Sequence, residues 1–201
     1  NLNGRDQADL ILALPADRRL AWLQALAPDD LADMFQELSG EDRTALMAQL
    51  DELTRKEVNA LMAYSEDVAG GLMNPRYVRL RPEMTVEEAF RYLRLQSQDR
   101  AEAFYDAYVI DADQRLLGVL SLKEIFSAPS KSIIRDIMQT DLVTAPENMD
   151  QESVSLLFKQ SNLVAIPVVD ADKKMKGIVT LDDIVDVVQE EATEDIQKMG
   201  A

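Results

Sequence analysis

Asp186, Glu190 and Glu194 stand four residues apart in a stretch whose apolar residues, Leu181, Ile184, Val185 and Val188, fall at helical spacing. Like charges one turn apart destabilise a helix by roughly 0.2–0.5 kcal/mol per pair, a cost that a cation could relieve. Asp29 and Asp33 form a second i, i+4 pair at the start of an earlier predicted helix, where both would project from one face. Such a pair suits a cation that bridges to another surface. A simpler role for Asp29 is that of helix cap or favourable charge at the helix dipole. The chain of 201 residues has no cysteine and no histidine, which excludes disulfides, thiolate nucleophiles, sulfur-ligated metals and imidazole chemistry. Oxygen donors remain, and these suit the hard cations magnesium, calcium and manganese. With no P-loop and no Gly-x-Gly-x-x-Gly, the carboxylates assemble no recognisable catalytic constellation, and the chain is not read as an enzyme.

Composition narrows the partners. Against 21 basic residues stand 37 acidic ones, a formal charge of -16 that repels nucleic acid phosphates and anionic lipid surfaces and attracts cations. Solubility alone accounts for many acidic proteins, so the placement of the charge has to decide. A hydrophobic fraction of 47% supports packed cores, and the length suits two units. There is no signal-peptide pattern, and no apolar run approaches the ~18 residues that span a bilayer. The chain is expected to be soluble, without direct membrane insertion.

The acids must be positioned by two kinds of architecture. Residues 1–64 alternate short amphipathic segments with Pro or Gly breaks: Leu10–Leu14, Leu20–Leu26, Leu31–Leu38, Leu46–Leu50 and Val58–Ala63. The spacing predicts a helical superhelix of about five short helices, with Trp22 and Phe35 in its core and Thr54 with Glu57 as a capping box. Gly70-Gly71 interrupts the pattern, as a hinge or as a helix cap. From Leu72 the chain repeats itself. Each copy has a Met and a short strand, a Pro-Glu turn, a helix, two strands joined by Asp-Ala-Asp, and a Gly-x-x-Ser/Thr start to a last helix. Met73 to Gly118 spans 45 positions and Met138 to Gly177 spans 39, so the first copy carries six extra residues around Gln98–Phe104, expected as a loop or helix extension. Arg76, Arg79 and Arg81 alternate along a predicted strand and read as one solvated face. Tyr92, Tyr105 and Tyr108 read as packing residues.

Val168-Val169-Asp170, Gly177-Ile178-Val179-Thr180 and Asp183, with the looser Gly118-Val119-Leu120-Ser121 and Glu124, resemble a tandem pair of cystathionine-beta-synthase (CBS) domains. The junction Glu66–Pro75, EDVAGGLMNP, and the tail Glu191–Ala201, EATEDIQKMGA, make the whole chain resemble the cytosolic part of the MgtE family of magnesium channels. The resemblance implies an α+β multidomain fold: an acidic all-α N domain over residues 1–68, CBS modules of β-α-β-β-α order over 69–128 and 129–188, and the start of a connecting helix over 189–201. It further implies a transmembrane pore, absent here, a homodimer formed through the CBS domains, and a place at the cytoplasmic face of a bacterial membrane. The carboxylates that match the family's magnesium sensor are Asp29, Asp33, Asp150, Glu152, Asp183, Asp186, Glu191, Glu194 and Asp195. One family acid ahead of the second hairpin is Asn162 here, which leaves that shared site one carboxylate short. Bottom-up, Asp150 and Glu152 equally suit dipole-favoured acids at a helix start, and Glu191, Glu194 and Asp195 a solvated helix face. CBS pairs also commonly bind adenine nucleotides such as ATP. The matching residues are Thr180 with Asp183, and Ser121 with Lys123 and Glu124, the last in place of the usual Asp.

Overall fold

The computed structural model describes residues 4–96 and 103–185. Five short helices open the chain: α1 (Gly4–Ala13), α2 (Ala16–Ala25), α3 (Pro28–Glu37), α4 (Gly40–Met47) and α5 (Glu52–Leu61). Their breaks follow the local chemistry. Pro28 takes the first helical position of α3, where its missing N–H costs nothing. Ser39 and Asp51 cap α4 and α5, each side chain accepting the backbone N–H three residues on. The predicted Thr54–Glu57 capping box does not form: Thr54 lies inside α5 and donates its hydroxyl to Asp51 at 2.7 Å, which leaves Glu57 for another partner. Phe35 is fully buried, whereas Trp22 is only half-buried.

The repeat yields two sheets. In the first, β1 (Tyr77–Leu80) pairs parallel with β2 (Ala103–Ile110) after the crossover helix α7 (Val86–Gln96), and β2 pairs antiparallel with β3 (Leu116–Ser121), which leads into α8 (Leu122–Ser127). In the second, β4 (Ala145–Pro146), α10 (Gln151–Ser161), β5 (Ala165–Val169) and β6 (Met175–Thr180) repeat that order, and residues 181–185 are helical. The two Asp-Ala-Asp turns are built alike. Asp111 and Asp170 each accept two backbone N–H groups at 2.9 Å, and Gln114 and Lys173 take φ of 66° and 62°. Part of the insertion in the first copy is strand: Ala103 opens β2, which runs three residues longer than β5.

The lead-in segments are exchanged. Helix α6 (Ala69–Leu72) and the residues after it precede the first module but lie on the second. Ala69 and Gly70 donate to the carbonyls of Met149 and Glu147 at 2.7 and 2.8 Å, and Asn74 and Ile178 exchange backbone bonds of 2.7 and 2.9 Å. Reciprocally, α9 (Ile134–Ile137) precedes the second module but lies on the first. Ile134 donates to the carbonyl of Met84 at 2.8 Å, and Gln139 and Val119 exchange bonds of 2.9 and 3.0 Å. Close approach explains the motif glycines. A Cβ at Gly177 would stand 2.7 Å from the Asn74 carbonyl oxygen, and one at Gly118 2.6 Å from Met138 Sδ. Gly70 and Gly71 are likewise neither a cap, since neither has positive φ, nor loose, since both are buried.

Because α6 sits on the second module, one apolar cluster runs from Ile11, Leu31, Phe35, Val58 and Leu61 through Ala69 and Met73 to Val154, Phe158, Ile166 and Val179. A second cluster, with Val78, Val109, Leu120 and Ile134, fills the first module. A third, with Tyr77, Tyr108, Leu116, Met175 and Ile178, joins the two sheets. The arginines do not share a solvated face. Arg76 is paired and mostly buried, Arg81 donates to the Ile110 and Asp111 carbonyls, and exposed Arg79 lies 5.4 Å from the Tyr77 ring centroid. Gly71→Ala, whose Cβ would lie 2.2 Å from the Ser65 carbonyl oxygen, is expected to lower unfolding stability by about 1–3 kcal/mol. Gly40→Ala meets nothing within 4 Å and should be neutral or stabilising by up to about 1 kcal/mol. Urea unfolding of both variants checks the pair, and equal midpoints would contradict the assignment.

Candidate cation site at the seam between the helical unit and the second module

The exchanged lead-in brings α3 against the second module, and this decides which carboxylates meet. Asp29 follows Pro28 in the first turn of α3, where the dipole favours an acid, yet it is 8% exposed. Its Oδ1 accepts from Asn74 Nδ2 at 3.2 Å, and Asn74 is itself buried beside β6. Asp33, one turn on, is half-buried, its backbone covered by the start of α1 at Gly4. The two acids therefore share a helix face, as their spacing predicts, but not a common exposure.

Asp183 lies just beyond β6. Thr180 donates its backbone N–H at 3.1 Å and its hydroxyl to Asp183 Oδ2. Burial nevertheless pushes the Asp183 carboxyl up to about 6, the Thr180 bonds oppose this, and the charges of Asp182 and Asp30 add to it. Asp30 belongs to α3, so its field reaches Asp183 across the seam between the two units. Spacing alone did not single out Asp30. The available signal was its position one turn before Met34 and two before Leu38, both buried. Acidic charge also gathers at the junction: the Glu66 carboxyl is raised, first by partial burial and then by the charges of Glu37 on α3 and of Asp67.

Asp150 and Glu152 occupy the other end of the seam. Asp150 caps α10, accepting from Ser153 N and Oγ at 2.8 and 2.9 Å, and these bonds hold its carboxyl below the usual range. Its backbone pairs with Val68, and Gln151 donates to the Asp67 carbonyl at 2.9 Å, so the cap lies directly under the junction. Glu152 is exposed in the first turn of α10. Close by, Tyr64 donates to Glu147 at 2.7 Å, its own hydroxyl pushed up to about 12, first by burial and then by that bond. Asn162 ends α10 at φ 53°, ψ 27°, the left-handed conformation that asparagine tolerates well. Asp186, Glu191, Glu194 and Asp195 lie outside the described residues. Among the described residues, no group of three or more acids converges as a ready cation cage.

The nucleotide candidates are already engaged. Ser121 and Glu124 form a reciprocal capping box on α8, and Glu124 Oε1 also accepts from Gln139 Nε2 at 2.6 Å. Burial raises Glu124, but the bonds from Ser121 and Gln139 and the Lys123 charge outweigh it, so its carboxyl lies below the usual range. Lys123 is exposed. Half-buried Asp106, on β2, faces Glu124, and burial together with that charge raises it.

Two modules of this order, each completed by the other's lead-in, define a CBS pair, here carrying a helical domain on its second member. The description of the MgtE intracellular N domain matches residues 1–67, and that of the CBS domain matches residues 67–131 and 134–190. The magnesium transporter MgtE of Thermus thermophilus is 46% identical over 176 residues, 86% of this chain and 39% of its own length. MgtE of Bacillus subtilis is 37% identical over 174 residues, 86% of this chain and 38% of its own length. The crystal structure of the cytosolic domain of the Mg2+ channel MgtE in complex with ATP is 42% identical, with a TM-score of 0.88 over 93% of this chain and 76% of that one. The chain belongs to the MgtE family, of which it carries the intracellular N domain and the CBS pair. It spans about two fifths of the length of the curated relatives it matches. No helix among the described residues is long and apolar enough to cross a membrane.

The raised Asp183 carboxyl sets a pH dependence. In the folded chain it binds its proton up to about pH 6, whereas an unfolded Asp releases it near pH 3.9. Between these values the folded state holds more protons, so this group's contribution is largest below about pH 4 and falls as pH rises to about 6. Asp183→Asn, measured by urea unfolding in chelator, should remove that falling limb and raise stability at pH 7 by about 1–2 kcal/mol. A variant with the wild-type pH profile would contradict the assignment.

Proposed function

We propose that this chain is the magnesium-sensing regulatory region of a magnesium channel, at the cytoplasmic face of the membrane that holds its pore. The observation that supports the reading is the placement of the α3 acids against the second module: buried Asp29 accepts from Asn74, which is bridged to Ile178 of β6, and Asp183, raised chiefly by burial, lies just beyond that strand. The donor set fits the ion. Magnesium keeps several waters and takes one or two carboxylates directly, so paired acids suit it better than a closed cage, with an affinity on the order of millimolar. Ions at the seam would be held by one or two carboxylates at a time, drawn from Asp29, Asp30, Asp33 and Asp183, those at the junction by Asp150 and Glu152, and others by Asp186, Glu191, Glu194 and Asp195 of the connecting helix. Bound magnesium supplies the positive charge that these surfaces lack. With their mutual repulsion balanced, the apolar packing of α3 and α6 keeps the lobes closed, and the closed state gains stability with each ion it binds preferentially. Closure would draw the connecting helices together, close the pore and limit uptake. Exposed Leu95 on α7, and Phe126 on α8 with its ring 4.8 Å from that of Phe90, offer the apolar surface for a homodimer through the CBS domains.

A second reading is regulatory binding of an adenine nucleotide, favoured by the ATP complex of the similar cytosolic domain. Thr180 with Asp183, and Ser121 with Lys123 and Glu124, would contribute. Millimolar magnesium should compact the chain in small-angle scattering and protect it from protease, and Asp29→Asn with Asp183→Asn should abolish both effects. An unchanged wild-type profile, or a full response in the double variant, would contradict magnesium sensing. Calorimetric titration with ATP in the same buffers separates the readings: nucleotide binding without a metal-dependent change of shape favours the second.

A further inference from the structure

The lead-in meets its two neighbours through different chemistry. Toward the second module it uses backbone bonds and packing: Asn74 and Ile178 of β6 exchange bonds of 2.7 and 2.9 Å, and the Met73 side chain lies where a Cβ on Gly177 would come within 2.9 Å of it. Toward the helical domain it uses charge. The Arg76 guanidinium gives Glu57 Oε2 of α5 two bonds of 2.9 and 2.7 Å and Thr54 Oγ1 one of 2.8 Å, so among the described residues its bonds all go to α5. The Arg76 and Glu57 side chains are 14% and 17% exposed, against 72% and 77% for Lys56 and Glu52 on the same helix. Because its two members belong to different units, the pair is desolvated only while α5 is docked. A mostly buried ion pair gains little over its two hydrated parts, whereas removing one member leaves the other charge desolvated and unpaired. That penalty falls on the closed arrangement alone.

We propose that Arg76 tunes the magnesium concentration at which the helical domain closes. It is a fixed cation on the lead-in that meets Glu57 only in the closed state, and it does for α5 what a bound ion does for the acids of α3. The inference rests on the magnesium-sensing reading. In chelator, repulsion among the seam acids outweighs this one pair and the domain stands open; the pair forms as ions close the seam, not before. Arg76 and Glu57 are thus positioning residues that act on the closing equilibrium, and the apparent affinity for magnesium follows the fraction of chains able to close. Where several ions bind on closure, the penalty of losing one partner is spread over them, so the midpoint moves by a modest factor.

The test is a magnesium titration of the 201-residue chain, read by protease protection, in Arg76→Gln, Glu57→Gln, the charge-exchanged Glu57→Arg/Arg76→Glu and, as a control on the same helix, Lys56→Gln. Either single change at the buried pair should raise the midpoint about two- to fivefold. The exchanged pair should bring it back toward the wild-type value, and Lys56→Gln should leave it unmoved. Small-angle scattering in chelator should give the wild-type profile for every variant, since the pair is then already broken. Wild-type midpoints in both single variants would overturn the inference, as would an equal shift in Lys56→Gln. A single variant more expanded than wild type in chelator would show a pair formed without the ion and would overturn it as well. A wild-type chain blind to magnesium would sink the sensing reading and this inference together, whereas a responsive wild type with unmoved variants sinks the inference alone.

Discussion

Neither CBS module closes on itself. Each three-stranded sheet is extended by a single-residue bridge from the segment that leads, in sequence, into the other module: Asn74 on Ile178 and Gln139 on Val119. The glycines at 118 and 177 leave the room those segments occupy. Most of the remaining structure depends on this exchange. Were the lead-in to fold on its own module, α6 would carry the helical domain to the first sheet. Exchanged, it sets α3 and α5 on the second, so that Ile11 and Phe35 share one apolar cluster with Phe158 and Ile166. The acids of α3 then lie near the point where the chain leaves β6.

Two opposed terms meet at that seam. Apolar burial favours closure, at about 25 cal/mol per Å2 of apolar surface removed from water. Closure also brings carboxylates together in a chain of net charge -16 and removes some from water. The paired modules show that environment, and not motif, sets the outcome. Glu124 and Asp183 occupy equivalent positions after Ser121 and Thr180, and both accept the hydroxyl and backbone N–H of that residue. Glu124 has Gln139 and Lys123 beside it and ionises more readily than usual. Asp183 is raised chiefly by burial, with the charges of Asp182 and Asp30 adding to it, and ionises less readily.

Much of this was legible in the residues. The five helices, the internal repeat and the hairpins follow from hydrophobic period and turn chemistry, because those signals are local. What stayed hidden was non-local. Gly70-Gly71 reads as a break, but the ring of Tyr64 and the carbonyl of Ser65 fill the space a side chain would need. Arg76 looks like one of three alternating surface charges until α5 folds back to offer Glu57. Thr54 and Glu57 have capping-box spacing, yet Asp51 takes the cap one turn earlier. Asp29 and Asp33 were recognisable as a pair, but which neighbouring acid faces the second module depends on how α3 is rolled onto its packing stripe, and that brings in Asp30.

The most direct measurement is the distance between the helical domain and the second module with and without the ion. The chain has no cysteine, so spin labels at Glu41→Cys and Lys159→Cys, both exposed positions, report that separation when the labelled chain is diluted into an excess of unlabelled chain. Pulsed dipolar spectroscopy should give a broad distribution in chelator that narrows to a single short distance in millimolar magnesium. One distance distribution, identical in both conditions, would contradict a cation-held seam.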